Sequence, residues 1–423
     1  MRLNHIRSLF SIIATIAIYT VVIWACQPED IVSQNNLSPR KDILLTRAQS
    51  EFVANNLDFS FELFKHVSQN KRDRTVVISP LSVTMALGMI DNGSFNETKT
   101  EIEKVLGYSS STIGELNEFC ETMLAESSAI DPSTVVSFAN SAIFNDDICS
   151  IKADFIKNLE SSYDAFVSHN SFSKEDVRFL INSWCNNKTQ GMIPELLNKR
   201  AEGYAYFINA LYFKGIWANR FNKKNTTTKT FYTLAGETQP VKMMRQNGSF
   251  MAGTVPGLCK ILRMDYGNGA YQMFILLPEQ GHDLADVTDY LSPYTWNDIV
   301  ENLRMYKVDL EVPSFESEYT ADLKSALIGM GIHSAFKSSA DFSRMTDDKG
   351  VFIEEVYQKT KFMMDEKGAE AASASVVKLN LITGLAASNE MPEMQFHADH
   401  PFLFSIREVS TGAIFFIGQY TGQ

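Results

Sequence analysis

Gly368-Ala369-Glu370-Ala371-Ala372-Ser373-Ala374-Ser375-Val376-Val377 follows a strand-patterned run from Val351 to Asp365. Divided by the two-residue period of a strand and carried on to Ile382, it separates into two unlike faces. One reads Ala369, Ala371, Ser373, Ser375, Val377, Leu379, Leu381; the other reads Glu370, Ala372, Ala374, Val376, Lys378, Asn380, Ile382. Both charges and the only amide fall on the second face. The first is uncharged, small near Gly368 and larger further on. A segment so patterned can enter a sheet as a strand with one side packed on a core. Its Ala and Ser content and its leading glycine equally suit an exposed loop, a small-residue linker or a lone edge strand. The stretch reads as built for two conformations.

Downstream, Phe396-His397-Ala398-Asp399-His400-Pro401-Phe402-Leu403-Phe404-Ser405-Ile406 resembles the signature that follows the reactive loop in serpins, the large family of serine protease inhibitors. Earlier segments resemble the same family in the same order. Val77 to Val83, with Ser79-Pro80, is similar to the start of its buried second helix. Asn182 to Leu197, with Thr189-Gln190-Gly191, is similar to the helix and turn ahead of its central sheet. Phe207 to Trp217 is similar to the strand and turn at the top of that sheet. By these ordered matches, covering nearly everything after about residue 46, the chain is identified as a member of the family. The resemblance implies an α+β serpin fold: several helices packed on large β-sheets, with an exposed reactive centre loop at about residues 366–392.

A chain of 423 residues, 45% hydrophobic, has ample material for a large core in one or two domains. The formal charge is −12. Nucleic acid and heparin-like polyanions are poor partners for such a surface. Where some serpins carry a polyanion-binding basic helix, this sequence places Glu115, Glu118, Glu121 and Glu126.

Arg2 and Arg7 precede an uncharged run from Leu9 to Ala25, which is short for a membrane span of about 20 residues and reads as a signal peptide over residues 1–25. Ile23-Trp24-Ala25-Cys26 resembles a bacterial lipobox, with Cys26 as the lipidated residue. Trp24 is bulky for that motif and leaves an uncleaved anchor as the alternative. Either reading exports the body as a membrane-anchored protein, periplasmic or at the cell surface. Residues 26–45 are polar, without sustained periodicity, and read as a flexible tether with a reach of roughly 25 Å. The body then occupies residues 46–423. Its four cysteines, Cys120, Cys149, Cys185 and Cys259, are widely spaced with no CxxC pair, and are expected to be mostly buried free thiols.

The periodicities are mixed, as α+β architecture requires. Apolar residues at helical spacing run from Thr46 to Gln69, and Ser79 offers an N-cap ahead of Pro80 at the first helical position. Thr98 and Glu101 suit a capping box, with Gly107 as the helix stop. Strands are expected at 135–144, 204–213, 272–277, 307–312, 351–364, 402–406 and 413–420. There is no G-x-S-x-G elbow, H-E-x-x-H pair or phosphate-cradling glycine loop, so enzyme chemistry is not indicated. His397 and His400 bracket Asp399, but on a strand residues three apart point to opposite faces, so neither a metal nor any cofactor is expected.

The resemblance implies a suicide-substrate inhibitor of endopeptidases. A protease attacks the loop, and the cleaved loop inserts as a strand in the central sheet and traps the acyl-enzyme. About fourteen residues, Ala369 to Ile382, at roughly 3.3 Å each make a strand of about 45 Å. About ten new ladder bonds at about 1 kcal/mol each give on the order of 10 kcal/mol before packing. The implied hinge is Glu366, Gly368, Ala369, Glu370, Ala371, Ala372, Ser373 and Ala374. Gly368 is free of the Cβ that would oppose unusual dihedrals. Lys367 and Ala369 depart from the family's commonest hinge residues. Ser79, Ser82 and Asn209 match the polar shutter beneath the opening sheet, and Trp217 matches the tryptophan of the breach. Gln358 stands where many members have a shutter histidine.

The usual family interval puts the reactive bond at Ile382-Thr383, which suits elastase-, chymotrypsin- or subtilisin-like serine proteases. The loop runs on to Pro392, so Leu381 and Leu385 are alternatives. Lys378 would admit a trypsin-like enzyme, and papain-like cysteine proteases are also compatible. The rival reading is a non-inhibitory serpin acting as a binding or storage protein. Such members often carry charged, proline or bulky residues in the hinge's buried register, and this chain has none before Val377.

Overall fold

The computed structural model describes residues 38–108, 113–174, 176–354, 356–368 and 391–422. Helix α1 (Arg47–Ser68) starts where Thr46 and Gln49 form a reciprocal capping box and buries Phe52, Leu57, Phe61 and Phe64. Strand β1 (Val76–Ile78) leads to Ser79, whose hydroxyl accepts the Ser82 N–H and caps α2 (Pro80–Gly93). Every residue of α2 except Asn92 is buried. A helix apolar all round belongs in the interior, and α2 lies between the two sheets.

Helix α3 (Asn96–Leu106) corrects one expectation. It begins two residues before Thr98, with no side-chain cap, and stops at Gly107 at φ 85°. The Thr98 hydroxyl instead accepts the Asp341 N–H at 2.9 Å. Glu101 accepts the N–H groups of His333 and Ser334 at 2.8 and 2.6 Å, serving the 3₁₀ turn Ser334–Phe336. Burial opposes the Glu101 charge, yet these donors hold its carboxyl below the ordinary value.

The chain continues through α4 (Ile113–Glu126), β2 (Val135–Asn145), α5 (Ala153–Tyr163), β3 (Phe166–Asn170), α6 (Val177–Lys188) and β4 (Ala205–Lys214). Next come β5 (Thr227–Tyr232), β6 (Thr238–Val255), β7 (Cys259–Tyr266), β8 (Tyr271–Pro278), α7 (Leu284–Tyr290), α8 (Pro293–Asn302) and β9 (Arg304–Asp322). Helix α9 (Lys324–Met330), β10 (Tyr357–Met364), β11 (Glu393–His397), β12 (Phe402–Glu408) and β13 (Ile414–Tyr420) complete it. The large sheet runs β1-β13-β12-β8-β7-β6-β9-β10, with β5 on β6 and β11 on β9; a second sheet runs β3-β2-β4. Strand β9 joins two regions of the large sheet. Arg304 to Ser314 pairs with β6, and Phe315 to Asp322 pairs with β10. Pro313 sits at that changeover, where a missing N–H is least disruptive.

Most apolar side chains share one core, while a smaller one lies between α6 and the β2–β4 sheet around Ile143, Ile181, Cys185 and Ile208. Cys120, Cys149, Cys185 and Cys259 are all buried free thiols, as expected. Burial pushes Cys185 up to about 11 and Cys259 to about 12, well away from reactivity. Ile43, within the stretch read as a tether, is only 3% exposed and its N–H donates to Ser410 Oγ. The docked body therefore reaches back at least that far. The expected strand from Val351 begins only at Tyr357, because the Ile353 N–H bonds the Ala335 carbonyl rather than a ladder partner.

Candidate strand-acceptor site

Two strand edges define the site. The smaller sheet ends at β4 and the large sheet at β10; the two lie side by side and, among the described residues, share no ladder register. On β10, Gln358, Thr360, Phe362 and Met364 alternate inward and are buried. Gln358 spans the gap to the α2 cap. Its Oε1 accepts the Ser79 N–H at 2.9 Å, and its Nε2 donates to the Ser79 carbonyl at 2.8 Å. Thr360, two residues on and hence on the same face, donates to the Val77 carbonyl at 2.9 Å. On β4, Asn209 donates to Asn140 Oδ1, its partner in the β2–β4 register, and Asn140 donates to the Tyr163 carbonyl.

The structure thus places the sequence-predicted Ser79, Ser82, Asn209 and Gln358 beneath this junction, but in two separate hydrogen-bonded groups. Two buried oxygens here, Ser82 Oγ and Asn209 Oδ1, have no partner among the described residues. Leaving such atoms unsatisfied costs about 1–3 kcal/mol each. The junction therefore keeps unused hydrogen-bonding capacity.

The mouth lies at the upper ends of β4 and β10. Trp217, 2% exposed, stacks on Tyr266 with ring centroids 4.3 Å apart. Its indole N–H donates to the Asp365 carbonyl at 2.8 Å, and its backbone N–H to the Lys367 carbonyl. Glu366 accepts the Phe221 N–H through its carbonyl and the Thr226 hydroxyl through its carboxylate at 2.7 Å. Gly368 has φ +89°, and a Cβ there would lie 2.3 Å from the Trp217 nitrogen. Glycine is required both by the left-handed backbone and by this close approach. Burial, and then the Asp365 charge, push the Tyr266 phenol well above its ordinary pKa, so it stays neutral. A cleft of about 420 Å³ opens between the two strand ends.

Sequence reading missed Asn140, Thr226, Tyr266 and Thr360. Only Thr360 carried a signal, its even spacing from Gln358; the others meet the site through tertiary pairing. Ala369, Glu370, Ala371, Ala372, Ser373 and Ala374, the reactive-bond candidates Leu381, Ile382, Thr383, Leu385 and Lys378, and Cys26 lie outside the described residues. The signature histidines take separate partners. His397, at the end of β11, approaches Asp309 Oδ2 at 3.3 Å. His400 lies beyond the strand and is held by Asp399 Oδ1 and the Pro278 carbonyl, both at 2.9 Å.

Known proteins carry the same architecture. Residues 54–422 match the family model described as Serpin (serine protease inhibitor). Leukocyte elastase inhibitor of Xenopus laevis is 33% identical over 374 residues, 86% of this chain and 97% of that protein. The thermophilic serpin tengpin in its native state superposes with a TM-score of 0.78 at 27% identity, covering 94% of this chain and all of that one. Human thyroxine-binding globulin complexed with thyroxine gives 0.78 at 26% identity, covering 88% of this chain and 98% of that one. The chain belongs to the serpin family.

Proposed function

We propose that this serpin is a suicide-substrate inhibitor of endopeptidases. A serine protease attacks the carbonyl of Ile382, the amine of Thr383 leaves, and an ester links enzyme and inhibitor. Ala369 to Ile382 then enters between β4 and β10, carrying the acylated enzyme with it. The observation that carries this reading is the pair of strand edges lying side by side without a shared register among the described residues, with Gly368 at their mouth. The similarity to leukocyte elastase inhibitor favours an elastase-like target, in keeping with the aliphatic Ile382.

Mixed with an elastase-like protease, the protein should give a complex stable in SDS, and mass spectrometry of the released C-terminal fragment should begin at Thr383. Ala371→Arg, which puts a charge on the face that must pack inward, should abolish the complex while the intact protein still folds. Clean turnover without any complex would remove the trapping mechanism. The second reading, a binding protein, is favoured by the likeness to thyroxine-binding globulin, whose TM-score equals that of tengpin. It requires an uncleaved loop to suffice for activity, and the same SDS experiment separates the two. The N-terminal reading, a lipid on Cys26 tethering the body to a membrane, is tested by metabolic palmitate labelling, which Cys26→Ser should abolish.

A further inference from the structure

We propose that Lys99 and Asp91 join in an autocatalytic isopeptide bond, with Glu103 carrying the protons, so that the end of α2 is covalently stapled to α3. The inference is independent of the inhibitory reading. Asp91 lies in the last turn of α2 and is fully buried. Lys99 and Glu103 stand one turn apart on α3, with side chains only 7% and 3% exposed. Lys99 Nζ is 2.7 Å from Asp91 Oδ2 and 2.8 Å from Glu103 Oε1. The second contact is off the line of a hydrogen bond, and no other donor meets Glu103 Oε1 among the described residues. Two carboxylates thus share one ammonium in the interior, where unbalanced charge is costly. Burial raises the Glu103 carboxyl above its ordinary value, and Lys99 opposes this only in part. A carboxyl shifted in that direction takes up a proton more readily and can return it.

Asp91 is also polarised for attack. The Ser94 hydroxyl donates to its Oδ1 at 2.8 Å, and the Tyr108 phenol donates to its Oδ2 at 2.7 Å. Burial, and then the Asp91 charge, push that phenol well above its ordinary pKa, so it stays a donor. Amine, acceptor carboxyl, proton carrier and oxyanion donor therefore meet in one buried site. Glu103 takes a proton from Nζ, and the freed amine attacks Asp91 Cγ while Ser94 stabilises the charge developing on Oδ1. The Nζ–Cγ bond forms and the Cγ–Oδ2 bond breaks. Of the three ammonium protons, two leave with Oδ2 as water, relayed one at a time by Glu103, which ends as it began. The positive and negative charges of the pair cancel, and nothing is oxidised or reduced. Fixed contact between the groups supplies the effective concentration that such a condensation needs. The product replaces a buried ion pair with a neutral amide and pins the exit of the helix whose entry, Ser79, is bonded to Gln358.

Trypsin digestion of the purified, then denatured, full chain reads the bond by mass spectrometry. An acylated Lys99 is no longer a cleavage site, so residues 75–104 should be released as one peptide, lighter by one water. On fragmentation it should give no backbone ions between Asp91 and Lys99. Glu103→Gln keeps the amine, the acceptor and the side-chain shape but cannot carry the proton. It should yield separate peptides 75–99 and 100–104 at full mass. Lys99→Arg should likewise show no water deficit. Wild type that gives the two separate peptides at full mass holds an ion pair only, and the proposal falls. A water deficit that persists in Lys99→Arg would place an internal imide at Asp91 and overturn it equally. Linkage in Glu103→Gln as complete as in wild type would remove Glu103 from the reaction.

Discussion

Single residues already fix two properties of the molecule. Gly368 combines φ +89° with a backbone approach that leaves no room for a Cβ. Gly368→Ala must therefore either strain the turn or push Trp217 off Tyr266. It should destabilise the intact protein by about 1–3 kcal/mol, read as a lower urea midpoint, with loss of the Trp217 stack visible in fluorescence. His400 is held from both sides by acceptors, so its ring is best satisfied when both nitrogens carry protons. Burial opposes that charge, but the Asp399 carboxylate and the Pro278 carbonyl outweigh it, and the pKa is raised. Asp399 is lowered in turn, chiefly by the bond from His400. A raised folded pKa gives stability that is complete below the unfolded value of about 6.5 and is lost as pH climbs through the folded one. The melting-temperature gap between the wild type and His400→Gln should therefore be widest near pH 6 and shrink toward pH 9. A gap constant over that range would remove the imidazolium from the account.

At the scale of elements, β10 is joined to the body beneath it by Gln358, which satisfies both backbone groups of Ser79 at once, by Thr360 on the Val77 carbonyl and by the packing of Phe362. Gln358→Leu strands a buried N–H and a buried carbonyl and should cost about 1–3 kcal/mol for each group left unpaired, measured by urea unfolding of the intact form. Gln358→His is more informative. A neutral imidazole can accept the Ser79 N–H and donate to its carbonyl, whereas imidazolium can only donate. Its folded pKa should therefore be depressed, and the variant should lose stability relative to wild type as pH falls below about 6.5. The glutamine makes this contact without a titrating group. Local signals suffice for α1, for the Ser79 cap and for a strand over Tyr357–Met364, though not for where that strand begins. They failed where tertiary pairing overrides composition. Strand β6 is polar through Arg245, Gln246, Asn247 and Ser249 and is held by pairing with β9 on one side. Thr98 and Glu101 fit a capping pattern but are used by a distant turn. The shutter and breach positions became legible only through family resemblance, since an amide in an apolar run, such as Asn209 or Asn140, carries no periodic signal of its own.

Across the whole molecule, two sheets end on neighbouring edges, and among the described residues the buried Ser82 Oγ and Asn209 Oδ1 beneath them lack partners. Each feature leaves free energy unspent in the intact fold: unformed ladder bonds along β4 and β10, and unsatisfied hydroxyl and amide oxygens under them. On the proposed mechanism, residues 369–382 have the length and the uncharged face to supply the missing strand once a peptide bond beyond them is cut. If about ten ladder bonds form at about 1 kcal/mol each, the gain is on the order of 10 kcal/mol. For a chain of this size that should raise the melting temperature by more than about 10 °C. Calorimetry on the intact protein and on protein nicked once at the Ile382-Thr383 bond reads this directly, and Ala371→Arg supplies the control. The nicked wild type should melt far above the intact form, and the nicked variant should gain little, because its arginine cannot pack against the core. Equal melting of intact and nicked wild type would mean that the edges of β4 and β10 hold no reserve, and a trap driven by strand insertion would have no source of work.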